Sequence, residues 1–150
     1  MKDDLYVTWI GKALLSYQML EEALKLCIGV SYEIICASNP SEVDFKFSYS
    51  SINNAPLGSL IRMFSNVSKN ETLVSDLKSK DVIRWRNFCA HNAFMHEFMN
   101  RTSQSFFSQH SVEEIKRVAL YTGELVLKVG EELKKLQDLH MRTHSDRPKL

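Results

Sequence analysis

The chain has 150 residues, 44% of them hydrophobic and 25% charged, with 19 Lys and Arg against 18 Asp and Glu. That length and mix fit one folded domain, long enough to bury about two-thirds of the surface its unfolded form exposes, and exclude a disordered chain. A net charge of +1 argues against holding nucleic acid by bulk electrostatics.

In chain order, the first predicted element is a long helix over Leu5 to Ile35. Ile10, Ala13/Leu14, Tyr17, Leu20, Leu24, Cys27/Ile28 and Ile34/Ile35 recur every three or four positions, the stripe of a helix that buries one face. Asp3 and Asp4 suit the positive end of its dipole, and Asn39-Pro40 stops it, because a residue before proline is pushed out of helical geometry. Residues 38–56 read as a polar connector. Its "DFKFSYS" alternates like a strand, but no partner strand is evident. Pro56 opens a short helix, "LGSLIRMFSNV". A third long helix is predicted from Asn70-Glu71-Thr72 through Leu73 towards Met99, followed by a second connector, "NRTSQSFFSQHS". Ser111 with Glu114 forms a capping box for a last long helix carrying Ile115, Val118/Ala119, Val126, Val129 and Leu133/Leu136. Residues 140–150 lose the periodicity and read as a frayed or disordered tail. Three long helices and at least one short one predict an all-α, up-and-down helical bundle spanning residues 1–150 as one domain.

The charge is unevenly placed. Residues 1–45 carry three Lys/Arg against seven Asp/Glu, and residues 46–150 carry sixteen against eleven, so a polyanion is drawn to the later part. Cys27, Cys36 and Cys89 show no framework or zinc spacing and read as buried free thiols in a reducing cytoplasm. The start, "MKDDLYVTWIGK", lacks a cleavable apolar core, and no apolar run is long enough to span a membrane. The sequons at Asn66, Asn70 and Asn100 are then coincidences of composition.

One stretch departs from ordinary core. "RWRNFCAHNAF", from Arg84 to Phe94, sets a cation, an amide and an imidazole among Trp, Phe, Cys and Ala. Asn87 and His91 are four apart, one turn from each other on a helix face. Arg86 stands about 140° round from His91 on an ideal helix, with a side chain long enough to swing back. The three suit phosphodiester chemistry. His91 carries an imidazole, which can exchange a proton with a ribose hydroxyl. Arg86 offers a fork of donors to phosphate oxygens, and Asn87 can orient either partner. No carboxylate stands in helical register with them, which disfavours a Mg²⁺-dependent nuclease. The competing reading is a buried Arg-Asn-His network that only fixes helix packing.

"RNFCAH", Arg86 to His91, resembles the R-x4–6-H motif of HEPN domains, which often carry a polar residue directly after the Arg. The motif's late position in a third long helix of an all-α chain fits that family too. The resemblance implies a homodimeric, metal-independent endoribonuclease of toxin–antitoxin or defence systems. Two copies of Arg86, Asn87 and His91 would face each other across a two-fold axis. His91 would be the acid/base and Arg86 the transition-state stabiliser, yielding a cyclic phosphate and a 5′-hydroxyl. The implied partners are RNA, a second copy and an antitoxin or other protein, with no cofactor and no metal. Lys78, Lys80 and Arg84, just ahead of the motif, are the candidate RNA-binding residues. The alternative is a non-catalytic helical module of the same fold that binds a protein or RNA.

Other features carry less. His140 and His144 are four apart and would suit a metal on a helix, but no further ligand is evident and they read as a solvated pair. Glu21 and Glu22 read as ordinary surface acids, His96 and Glu97 as surface residues, and His110 as isolated in a connector. Trp9 and Trp85 read as core. No Gly-rich phosphate loop, nucleophile elbow or paired Glu-x-x-His motif is present.

Overall fold

A computed structural model describes residues 2–93 and 110–145. These are 84% helical with no strand, an all-α protein. None of the helices is long and apolar enough to cross a membrane among the described residues.

Helix α1 (Lys2–Ser38) is the predicted first helix, and it ends immediately before Asn39-Pro40. Its stripe from Ile10 to Ile28 is buried as the periodicity requires, with Leu20 and Leu24 fully enclosed. The connector after it is extended but not a strand. Phe45 and Phe47 both pack edge-on against Tyr32, at centroid distances of 5.5 and 5.3 Å, so the two-residue alternation serves one aromatic cluster. A five-residue helix, α2 (Tyr49–Asn53), follows, a turn the sequence reading leaves in the connector. Helix α3 (Leu57–Val67) starts directly after Pro56 and buries Leu57, Leu60, Ile61 and Phe64.

The predicted third long helix is not one helix. Asn70 caps α4 (Glu71–Leu77) by accepting from the Leu73 amide at 3.1 Å. The chain then breaks at Ser79, which is extended (ψ 132°) and leads α5 (Lys80–Asn87). The Ser79 side chain makes no capping hydrogen bond, and Asp81 in the first turn suits the helix dipole. Phe88–Asn92 is π-helical. Residues 94–109, including Phe94, His96, Glu97, Phe98, Asn100 and most of the second predicted connector, lie outside the described residues.

Helix α6 (Val112–Ser145) opens on the expected capping box. The Ser111 amide donates to Glu114 Oε2 at 2.7 Å, and the Glu114 amide donates to Ser111 Oγ at 3.2 Å. The helix continues to Ser145, six residues past the point where periodicity fades, so the tail reading is corrected as far as 145. Residues 146–150 lie outside the described residues.

α1 and α6 lie side by side and run in the same direction. Going up α1, Trp9 meets Lys116, Tyr17 bonds Thr122, Cys27 Sγ donates to the Val129 carbonyl at 3.6 Å, and Glu33 meets His140. The segment between them runs back along α1. Tyr49 lies against Gly29, Arg86 against Glu21, and Cys89 and Ala93 share a cluster with Ile10 and Ala13. Two apolar clusters result, and the partly buried Trp85 packs against both.

Of the three thiols, Cys27 and Cys89 are buried as expected, whereas Cys36 is exposed near the end of α1. Burial pushes Cys27 up to about 12 and Cys89 up to about 11. The thiolate is the reactive form, so iodoacetamide at pH 8 is expected to label Cys36 alone in the native chain and all three in denaturant. Mass spectrometry of the labelled protein checks this, and native labelling of Cys89 would show that the smaller cluster opens.

Candidate functional site

The motif bridges the end of α5 and the π-helical turn. Phe88 and Cys89, its central residues, point inward and are buried with Tyr6, Ile10, Ala13, Ile115 and Ala119. That pins the segment to α1 and α6, and the neighbouring residues face outward by geometry. Asn87, Ala90, His91 and Asn92 are exposed, and Arg86 is half-buried.

The π geometry changes the expected alignment. The Ala93 amide bonds the Phe88 carbonyl five residues back. An i→i+5 turn brings residues five apart closer to one face and moves those four apart away from it. Arg86 and His91 are five apart, so the insertion narrows the separation of an ideal α-helix. The one-turn stacking expected of Asn87 and His91 is loosened.

Each motif residue has different surroundings. Arg86 donates Nε–H to Glu21 Oε1 at 3.3 Å, with side-chain exposures of 31% and 21%. Glu21 is therefore no ordinary surface acid: from α1 it anchors the guanidinium. Sequence spacing could not show this, because 65 residues separate the pair. His91 makes no hydrogen bond or ion pair among the described residues. Asn87 lines an open depression of about 370 Å³ with Arg84, Trp85, Phe88, Asn92 and His110. Arg86 and His91 are not among its lining residues, so the three motif residues do not converge in one cavity of a single chain.

His110 is the residue the sequence reading missed. It is not isolated: its ring lies 4.4 Å from Trp85 and 4.6 Å from Phe88, centroid to centroid, and its Nδ1 lies 3.8 Å from Glu114 Oε2. The i,i+4 spacing of His110 and Glu114 across the cap was the one available signal.

The three basic candidates also divide. Arg84 lines the depression beside Asn87 and pairs with Asp81 at 3.2 Å, both side chains largely exposed. Lys78 and Lys80 line a separate depression of about 660 Å³ at the α4–α5 break, with Ser68, Ser75, Ser79 and Glu71. Lysines beside hydroxyls at a helix start can hold phosphate oxygens.

Chemically, the segment offers a solvent-facing imidazole, an anchored guanidinium and two amides, Asn87 and Asn92. They flank or belong to a turn whose Phe88 and Cys89 side chains are buried. Comparison of the chain with protein-family models, curated proteins and solved structures returns no match at the level of significance applied.

Proposed function

We propose that the chain is a HEPN-like helical protein that cleaves RNA without metal, in a site completed by a second copy. His91 transfers the proton, Arg86 stabilises charge on the phosphate and Asn87 orients the reacting groups. The observation that carries this reading is exposure. A network serving only to fix packing would be buried and mutually bonded, yet Asn87 and His91 face solvent and His91 bonds nothing among the described residues. Arg86 and His91 lie in different surroundings of one chain, and a two-fold axis is a simple way to bring such residues together. The π-helical turn within the motif agrees, since such insertions collect at functional sites. An up-and-down arrangement is supported by the parallel α1 and α6 with the middle segment running back between them.

The test is cleavage of a mixed single-stranded RNA pool in EDTA by wild type and His91→Ala, both verified as folded. Cleavage lost in a folded variant supports the proposal. Equal silence from both proteins removes it.

The alternative, a non-catalytic module binding a protein or RNA, is favoured by one observation: the Arg86 guanidinium is already engaged by Glu21. If Glu21 holds Arg86 in its working pose, Glu21→Gln lowers cleavage by roughly tenfold, one lost positioning contact being worth about 1–2 kcal/mol. If the pair is only structural, the same variant lowers the unfolding midpoint in urea and leaves any cleavage rate unchanged.

A further inference from the structure

The depression of about 370 Å³ beside the motif is lined by Arg84, Trp85, Asn87, Phe88, Asn92 and His110, and the proposed chemistry uses only Asn87 among them. Small-molecule pockets run from about 300 to 1,000 Å³, so this one suits a single flat ring system rather than a helix. Three of the lining side chains carry rings. Trp85 and Phe88 meet at 88°, and His110 meets Trp85 at 57° and Phe88 at 87°. None of the three is stacked face to face on another, so a fourth ring entering the depression displaces no stacked pair. Trp85 and His110 are half-buried, which leaves part of each ring open to a ligand. Bases splayed out of single-stranded RNA are held on side chains of these types, and such stacking tolerates every base.

The polar lining can tell bases apart. Asn87 and Asn92 are exposed, and neither side chain makes a hydrogen bond or ion pair among the described residues. Each amide sets an acceptor beside its donors. Asparagine meets adenine in that way, Oδ1 accepting from N6–H and Nδ2 donating to N7. Adenine repeats the donor–acceptor pair on its other edge, N6–H beside N1. Guanine, cytosine and uracil offer such a pair on their Watson–Crick edges alone. Adenine is therefore the base that an amide can meet from either edge. Arg84 is of the residue type that reads guanine O6 and N7, but its guanidinium is already paired with Asp81 at 3.2 Å. Among the described residues no carboxylate lines the depression, so an anionic strand meets no negative charge in the lining itself.

We propose that this depression is a nucleobase subsite for RNA, taking an unstacked adenine against Trp85 and His110 and reading its edge with Asn87 and Asn92. Asn87 belongs to the motif as well as to the depression, which sets the bound base beside the phosphate to be cut. The inference rests on the reading of the chain as an RNA-cleaving protein and names the base at that site. A free adenine nucleotide carries the same ring, and the experiment separates the two sources.

The experiment is fluorescence anisotropy of a labelled 2′-O-methyl oligouridine titrated with the full chain in EDTA, beside the same oligomer carrying one central adenine, guanine or cytosine. Methylation removes the attacking hydroxyl, so binding is read whether or not the chain cuts RNA. Wild type is expected to bind the adenine oligomer roughly tenfold more tightly than the others, and Asn92→Ala, with an unchanged far-UV spectrum, to lose that preference. His110→Ala, equally folded, is expected to bind all four roughly tenfold more weakly. Equal affinity of wild type for all four, a preference that survives in Asn92→Ala, or undiminished binding by His110→Ala overturns the subsite and leaves the RNA reading standing. No binding of any oligomer by wild type overturns it as well, and the cleavage assay in EDTA then tests the RNA reading separately. Displacement of the adenine oligomer by AMP at or below the oligomer's own Kd assigns the depression to a free nucleotide and overturns its place in RNA recognition.

Discussion

His91→Ala is expected to reduce RNA cleavage by roughly 10²- to 10⁴-fold, the usual contribution of a positioned general acid or base, while leaving the unfolding midpoint within the error of measurement. The second half of that expectation follows from exposure. His91 is on the surface with no bond among the described residues, and surface substitutions of that kind stay within about 0.5 kcal/mol. Its neighbours differ. Phe88 is 7% exposed and Cys89 fully buried, so truncating either would confuse lost activity with lost fold. Initial rates in EDTA on a labelled RNA, beside a urea titration of each protein, separate the two effects. A His91→Ala protein that cuts at the wild-type rate would sink the catalytic assignment, and one that fails to fold would contradict the exposed placement.

Phe64→Ala is expected to destabilise the chain by about 3–5 kcal/mol, the range for removing a buried aromatic ring. Phe64 is 1% exposed in the larger cluster with Leu20, Leu24, Ile28 and Leu60. Losing its ring removes transfer free energy and leaves a cavity that α1 and α3 cannot close without moving. Total stabilities of single domains run to about 5–15 kcal/mol, so this one change removes a large share. Equilibrium urea unfolding by circular dichroism measures it, with the midpoint falling and the slope unchanged. A loss below about 1 kcal/mol would mean that α3 is not packed against α1 as described. The effect sets a control for the site as well, because Phe64 belongs to the cluster away from the motif. Cleavage by Phe64→Ala is expected to fall only in proportion to its unfolded fraction.

Much of the fold was legible because its signals are local. Ile10 to Ile28 recur at helical spacing, Pro56 and Asn39-Pro40 punctuate, and Ser111 with Glu114 announces a helix start. Each of these depends on residues within four positions of one another, where backbone geometry dictates the outcome. The break at Ser79 was less legible, because the apolar positions Leu73, Leu77 and Val82 continue at near-helical spacing across it. Ser79 with Asp81 was the only hint. The extension of α6 to Ser145 escaped notice because those last turns bury little, and periodicity reports burial rather than helix.

What the sequence determined by itself is the helical class, the end of α1 before Asn39-Pro40, the starts of α3, α4 and α6, and the identity of the chemically distinct segment, Arg86 to His91. Only the tertiary structure decided which groups meet across long separations: Glu21 with Arg86, His110 with Trp85 and Phe88, and Glu33 with His140. The physical reason is the same for all three. The first set follows from hydrogen bonds and side-chain spacing within one or two turns, fixed by covalent geometry. The second depends on the register in which separate helices dock, and that is set by packing the whole apolar stripe at once, so no short stretch of sequence encodes it. The π-helical turn belongs with the second set. Phe88 and Cys89, the first two residues of that turn, are buried with residues of α1 and α6, and that packing accompanies the extra residue in the turn.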